Sequence, residues 1–149
     1  MKSLDIILNR ETIFEDVRRL AAYSGKKTTD TQGDTAYEVM HITKEEEEVL
    51  QVFYKEAYAT LMDVLKPFLV TERVPSGHIL CSMPNSWDEN LEGSVRDTVH
   101  EYMVSFVVSK WFRIVKQDKE AAEINDANAK MIELRKKLYW KRKPTLRTT

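Results

Sequence analysis

The chain contains little of several residue types that mark common protein classes. Its 149 residues include one cysteine, four glycines and four prolines. A single cysteine cannot form a disulfide within the chain, and the glycines stand apart from one another, which excludes a glycine-rich phosphate-binding loop. The longest apolar runs are far shorter than the ~20 residues that a membrane-spanning helix needs. We therefore expect one globular domain with no membrane span.

Residues that could support catalysis or metal binding are also few. His41, His78 and His100 fall in three different predicted elements, and none has the spacing of a metal-binding motif. Cys81 lies in the apolar run HILCSM, which indicates a small buried hydrophobic residue. Ser76 lacks the strand–turn–helix frame of a hydrolase nucleophile. We expect no metal, no cofactor and no enzymatic activity.

The N-terminal part contains a short amphipathic helix followed by a polar stretch. Apolar residues recur every three or four positions over residues 10–23, and Gly25 is placed to end the helix. Residues 24–35 include no apolar side chain. This composition is typical of a solvated connection, and we predict a mobile loop over residues 24–40.

The second helix has the clearest start signal in the chain. Thr43 and Glu46 have the spacing of a capping box, and residues 45–48 are glutamates that face the positive end of the helix dipole. Consecutive positions point in different directions around a helix, so these glutamates cannot converge on one metal ion. We expect a helix from near Lys44, with a wide apolar face that continues to Phe68.

The rest of the chain predicts a small β element and two further helices. Apolar residues around Pro75, Ser76 and Gly77 favour a β-hairpin or two extended segments within residues 70–84. Such an element must pack on the helices or join a sheet of another copy of the chain.

A second capping-box spacing, Ser86 to Glu89, predicts a third helix that runs to Val115, and a fourth spans about Asp118 to Tyr139. One long bent helix is the alternative, but the polar residues at 116–118 favour an antiparallel pair. The predicted fold class is mainly α, a four-helix bundle-like domain with a small β element.

Charge is distributed unevenly along the chain. Residues 135–149 hold seven Lys and Arg and no acid. Because the whole chain carries −1 and this segment +7, the first 134 residues carry −8. We expect a single domain over residues 1–140 and a basic extended arm over residues 141–149 that docks on an anionic partner. Tyr139 and Trp140 are candidates for an interface, where aromatic residues are enriched.

The order of elements and the closing residues resemble a known family. A tyrosine-rich helix, a short β element and two further helices come in this order, mainly within residues 43–147. The residues that carry the resemblance are Lys110-Trp111-Phe112, Glu120-Ala121, Leu134-Arg135, Leu138-Tyr139 and Lys141-Arg142-Lys143-Pro144. This layout is similar to the small helical head–tail connector (neck adaptor) proteins of tailed bacteriophages and prophages.

The resemblance implies a structural virion protein in the neck, assembled in the bacterial host cytoplasm. It implies a ring, with twelve copies as the expected number, that lies beneath the portal protein and contacts another neck or tail protein. DNA would pass through the ring as non-specific cargo. It assigns portal docking to the C-terminal arm, with Lys141, Arg142, Lys143, Pro144 and Arg147 as its docking residues.

In a ring, the acidic residues Glu46 and Glu47 of one copy would be positioned to meet basic residues of the next.

Two other interpretations of the function stay open at this point. A small helical nucleic-acid-binding protein that uses the basic tail on phosphates is the alternative function. A stopper or tail-completion protein is expected to show the same sequence features as a connector.

Overall fold

The computed structural model describes residues 1–27, 41–70, 75–115 and 117–142. The elements in chain order are β1 (Lys2–Ile7), α1 (Arg10–Lys27), α2 (Glu47–Leu65), β2 (His78–Met83), α3 (Glu92–Val115) and α4 (Gln117–Leu138). The 3-10 turns are Lys44–Glu46, Lys66–Phe68 and Glu89–Leu91. The predicted fold class is confirmed: the described ranges are mainly helical, with four α-helices and a two-stranded antiparallel sheet.

Helix α3 is the centre of the core, because α1, α2, α4 and strand β1 all pack against it. Many of its side chains are buried: Val95, Thr98, Val99, Tyr102, Met103, Val107, Val108, Ser109, Trp111 and Phe112. Its β-branched residues have low intrinsic helix propensity, so this burial stabilises the helical conformation. No described helix combines the length and the apolar character that crossing a membrane requires.

Helices α3 and α4 form the most extensive contact in the molecule, as the predicted antiparallel pair. On α4 the buried residues are Ala127, Met131, Leu134 and Leu138, which recur every three or four positions. The small side chain of Ala127 is fully buried, which allows a close approach of the two helices. The alternative of one long bent helix is therefore wrong.

Helix α1 is longer than predicted. The helix continues through Gly25 to Lys27, so the predicted end at Tyr23 is wrong. Gly25 is buried within the helix. A glycine inside a helix costs only about 1 kcal/mol relative to alanine, and tertiary packing outweighs that amount. Four residues of the predicted loop thus belong to α1, and residues 28–40 lie outside the described part of the chain.

Helix α2 begins almost where the capping-box pattern placed it. Glu46 accepts a hydrogen bond from the backbone N–H of Thr43 at 3.3 Å, as a capping box requires. The Thr43 hydroxyl donates to the same carboxylate at 2.9 Å instead of accepting from a backbone N–H, so only the carboxylate half of the predicted capping box is formed. The segment starts as a 3-10 turn and becomes α-helical at Glu47. The buried residues of α2 are Leu50, Ala57, Leu61 and Leu65.

Strand β2 lies within the predicted β element, but its main partner comes from the other end of the chain. It pairs antiparallel with β1, in a register that places Lys2 opposite Met83 and Ile7 opposite His78. A shorter local pairing joins Leu69 and Cys81 as an isolated bridge. The inward side chains of both strands pack on the helices: Leu4, Ile6, Ile79, Cys81 and Met83.

The start of α3 differs from the predicted capping box. Asp88, rather than Ser86, is the capping residue of the 3-10 turn, and its carboxylate accepts from the backbone N–H of Asn90 at 3.1 Å. Ser86 instead uses its carbonyl oxygen to accept from the N–H of Arg142. The predicted cap is therefore wrong: the backbone of residues 86–88 pairs with residues 140–142, and the helical turn begins only at Glu89.

Candidate interaction surface at the end of helix α4

Trp87 is the buried residue that organises the end of α4. Its side chain is only 1% exposed, and the indole Nε1–H donates to the carbonyl oxygen of Lys137 at 2.9 Å. The last carbonyls of a helix have no partner within the helix, and that of Lys137 accepts both this bond and one from the N–H of Trp140 at 3.3 Å. Lys2 Nζ donates to the carbonyl of Trp87 at 2.7 Å. Trp87 thus joins strand β1, the start of α3 and the end of α4.

Backbone hydrogen bonds hold the residues that follow α4. The segment 140–142 runs antiparallel to 86–88, with an isolated bridge between Trp87 and Lys141. The N–H of Asp88 donates to the carbonyl of Trp140 at 3.3 Å, and the N–H of Arg142 donates to the carbonyl of Ser86 at 2.7 Å. The first two residues of the basic arm are therefore attached to the helical body.

Two aromatic side chains on this segment remain open to solvent. Tyr139 is 64% exposed and Trp140 is 56% exposed. The ring of Tyr139 contacts the buried ring of Phe68 in an edge-to-face arrangement, with ring centroids 5.3 Å apart and planes at 63°. The cavity of about 100 Å³ beside these residues is much smaller than an ordinary ligand pocket. The geometry therefore suits a contact with the surface of a macromolecule.

Lys and Arg residues precede and follow the two exposed aromatic residues in the sequence, and these cations differ in the contacts that they make. Lys137 is partly buried, and its Nζ donates to the hydroxyl of Thr98 at 2.7 Å. Arg142 lies 4.0 Å from Glu89, which is a weak, solvent-exposed pairing. We use the name basic–aromatic surface for the exposed residues Arg135, Lys136, Tyr139, Trp140, Lys141 and Arg142.

Only part of the predicted docking arm falls on this surface. Tyr139, Trp140, Lys141 and Arg142 are brought together there. Lys143, Pro144 and Arg147 lie outside the described residues.

The other two predicted interface residues belong to a different element. Glu46 and Glu47 stand at the start of α2, where Glu46 bonds to Thr43 and Glu47 forms an ion pair with Arg18. An interaction of Glu47 with a neighbouring copy would therefore compete with a pair formed inside the chain.

Sequence reasoning missed Trp87 and Lys2, which position this surface. Neither lies in a recognisable motif. The sequence signal for Trp87 was its position between Pro84 and the polar start of α3, outside any helical pattern of apolar residues. The contact of Lys2 with Trp87 joins residues 85 positions apart, and no local pattern encodes it.

Two histidines pair with carboxylates elsewhere in the molecule. His78 Nδ1 lies 3.0 Å from both carboxylate oxygens of Asp5, and His100 Nε2 lies 2.7 Å from Asp16. In the described ranges no three His, Cys, Asp or Glu side chains come together as a metal-binding group.

The Cys81 side chain is fully buried, and burial raises the pKa of its thiol to about 11. Cys81 is thus held as a neutral thiol at ordinary pH, as its apolar sequence context predicted.

Comparisons with known proteins found no relative of this chain. The chain matches no family model, no curated protein and no solved structure.

Proposed function

We propose that this protein is a non-enzymatic structural protein of a tailed-bacteriophage neck. In this proposal, copies of the chain form a ring beneath the portal, and the basic C-terminal arm docks on the portal protein. The phage context rests on the sequence resemblance described above. The docking role has independent support from the chemistry of the basic–aromatic surface.

The observation that carries the docking role is the exposure of Tyr139 and Trp140 on an attached backbone. Tyr, Trp and Arg are the residues most often found at the energetic centres of protein interfaces. Here the supporting segment is already held by hydrogen bonds to residues 86–88. Binding through such a surface loses less conformational entropy than binding through a free chain, so affinity is higher for the same contact area.

Charge favours an acidic partner for this surface and weak contact with DNA for the rest of the chain. Residues 135–149 carry +7, whereas the first 134 residues carry −8. A basic surface associates faster with an acidic partner. An acidic body repels a nucleic acid that passes along it, which suits cargo that must move through a ring.

A second candidate function follows from the same exposed aromatic residues. Proteins that bind single-stranded nucleic acid combine cations with aromatic side chains on which bases stack, and Tyr139 and Trp140 with Lys141 and Arg142 provide that combination. In this alternative the chain works as a monomer or dimer and binds phosphates. A stopper or tail-completion protein remains a variant of the structural proposal.

The test is the mass of the purified full-length protein at several concentrations and salt levels, by light scattering with negative-stain imaging. Rings, or a monomer that joins rings when a portal protein is added, support the proposal. A strict monomer or dimer that binds DNA, with affinity falling steeply as salt rises, supports the alternative.

A matched pair of variants tests the docking surface itself. Trp140→Ala removes an aromatic side chain that is 56% exposed, and Ile132→Ala removes an aliphatic one on α4 with the same exposure. We expect Trp140→Ala to weaken portal binding and Ile132→Ala to leave it unchanged. Equal effects of the two changes on binding would count against the basic–aromatic surface.

A further inference from the structure

A second site lies away from the basic–aromatic surface, where the end of the sheet meets helix α2. It is a cavity of about 490 Å³, within the range of small-molecule pockets. We call it the tyrosine-lined cavity. Its lining residues are Leu8, Arg10, Tyr54, Lys55, Tyr58, Ser76, Gly77, His78 and Ile79.

The part of the cavity formed by the sheet is rigid. The N–H of Leu8 donates to the carbonyl of Gly77 at 2.7 Å, which closes the end of the β1–β2 ladder. Gly77 has a φ of +83°, and a Cβ at this position would lie 3.1 Å from the carbonyl oxygen of Leu8. Only glycine satisfies both conditions without strain. This part of the cavity is therefore formed before any ligand arrives.

One wall of the cavity is flat and aromatic. The rings of Tyr54 and Tyr58 are stacked, with centroids 6.5 Å apart and planes at 19°. Phe14 contacts Tyr54 from the core in an edge-on arrangement, with centroids 5.8 Å apart. Tyr54 is therefore held in one orientation by its neighbours. The two rings give the lining an aromatic part that suits the flat apolar group of a ligand.

The charges that line the cavity have one sign. Arg10 and Lys55 are both exposed, and in the described ranges neither forms an ion pair with an acid. Burial raises the pKa of the Tyr54 hydroxyl, Tyr58 raises it further and the Arg10 guanidinium lowers it, which places Arg10 within electrostatic reach of that hydroxyl.

Asp5 contacts a residue of the lining and is already paired with it. His78 Nδ1 lies 3.0 Å from both carboxylate oxygens of Asp5. The Asp5 carboxylate therefore acts on His78 and leaves the charges of Arg10 and Lys55 free to act on a ligand. Within the described part of the chain, two cations that form no ion pair stand beside a lining that contains no acid, which favours an anionic occupant.

We propose that the tyrosine-lined cavity binds a small organic anion, a carboxylate or phosphate joined to a flat apolar group. Arg10 and Lys55 bind the anionic group, and Tyr54 and Tyr58 contact the flat group. Its volume of about 490 Å³ fits a small molecule, whereas the cavity beside the basic–aromatic surface measures only about 100 Å³. This inference does not depend on the proposed function in a phage neck.

The test is a titration of the full-length protein, followed by NMR through the backbone amides of Gly77 and His78. The probes are benzoate, phenyl phosphate and acetate, with benzamide as the uncharged analogue of benzoate. We expect saturable shifts from benzoate and phenyl phosphate, with dissociation constants on the order of a few millimolar for fragments of this size. Acetate and benzamide should each bind more weakly, because each lacks one of the two recognised groups.

Two double variants test whether Arg10 and Lys55 bind the anionic group. The double variant Arg10→Ala, Lys55→Ala should weaken phenyl phosphate binding by about tenfold or more, because it removes both charge partners. The matched control Lys66→Ala, Arg113→Ala makes the same change in net charge outside both the cavity and the basic–aromatic surface and should leave binding unchanged. Both pairs are exposed, so each variant should fold.

Three results would overturn the inference. The first is the lack of a saturable shift at Gly77 and His78 with either ring-bearing anion. The second is equal binding of benzoate and benzamide, which would show that charge does not contribute. The third is equal weakening by both double variants, which would show a general effect of net charge.

Discussion

Trp87 and Trp140 lie on two segments that pair with each other, yet their environments are opposite. Trp87 is 1% exposed and its indole bonds to the end of α4, whereas Trp140 is 56% exposed. The same contrast holds for two neighbouring lysines: Lys137 bonds to Thr98 inside the structure, and Lys136 is exposed. This end of the molecule therefore has an inner layer that maintains the fold and an outer layer that is available to a partner.

Trp87→Ala should have the largest effect on stability. It removes a large buried side chain and leaves the carbonyl of Lys137 without its bond from Nε1. We expect the free energy of unfolding to fall by about 3–5 kcal/mol, the usual range for Trp to Ala in a core. Chemical denaturation of the variant and the wild type measures the difference. A loss below about 1 kcal/mol would show that the inner layer does not depend on Trp87.

How much of this arrangement the amino-acid sequence predicts depends on the range of the interactions. Local signals worked: the Thr43 and Glu46 spacing marks the start of α2, and the apolar stripe that ends at Leu138 predicts the buried face of α4. These signals depend on the 3.6-residue period of a helix and on bonds between residues three or four positions apart. They need no knowledge of the rest of the fold.

Contacts between residues far apart in the sequence could not be predicted from these local patterns. Strand β1 was not predicted, because its partner β2 lies more than 70 residues away and the choice of partner follows from tertiary packing. Asp88, rather than Ser86, caps the turn because the backbone of residues 86–88 pairs with residues 140–142 and the helical turn begins only at Glu89. At the candidate site, the sequence indicated Tyr139 and Trp140 as interface candidates, whereas the supporting role of Trp87 depends on a contact across 50 residues.

Cys81 is a buried residue that affects how the stability of the fold depends on pH. Burial raises the pKa of its thiol to about 11, from 9.0 for an unperturbed cysteine. The unfolded chain therefore loses the thiol proton first, so this contribution to stability is complete below pH 9 and falls as the pH rises toward 11. The expected loss is about 2–3 kcal/mol across that window.

The control for this prediction is Cys81→Ala, which lacks the titrating group. Tyrosines and lysines also titrate between pH 9 and 11, and they act on both proteins. The measured quantity is therefore the difference in the slope of unfolding free energy against pH. Equal slopes for the wild type and Cys81→Ala would contradict the prediction.

Lys137→Met should have a smaller effect than the changes in the core. The substitution keeps most of the aliphatic stem but removes the bond from Nζ to the Thr98 hydroxyl. The Thr98 hydroxyl still donates to the carbonyl of Ser94 at 2.9 Å, so it is not left without a partner. We expect a loss of about 0.5–1.5 kcal/mol in the free energy of unfolding. Lys136→Met is the matched control on the outer layer, and a loss of equal size there would remove the distinction between the two lysines.

Trp140→Ala should have the smallest effect on stability, within about 0.5 kcal/mol of the wild type. Its side chain is largely exposed, and the hydrogen bond that anchors this position uses the backbone carbonyl, which the substitution keeps. A thermal or chemical unfolding curve that overlays the wild type would confirm that the fold does not need this side chain. A loss close to that of Trp87→Ala would instead place Trp140 in the inner layer. Exposed aromatic residues that stability does not require are typical of interaction surfaces, so this measurement tests the premise on which the docking proposal depends.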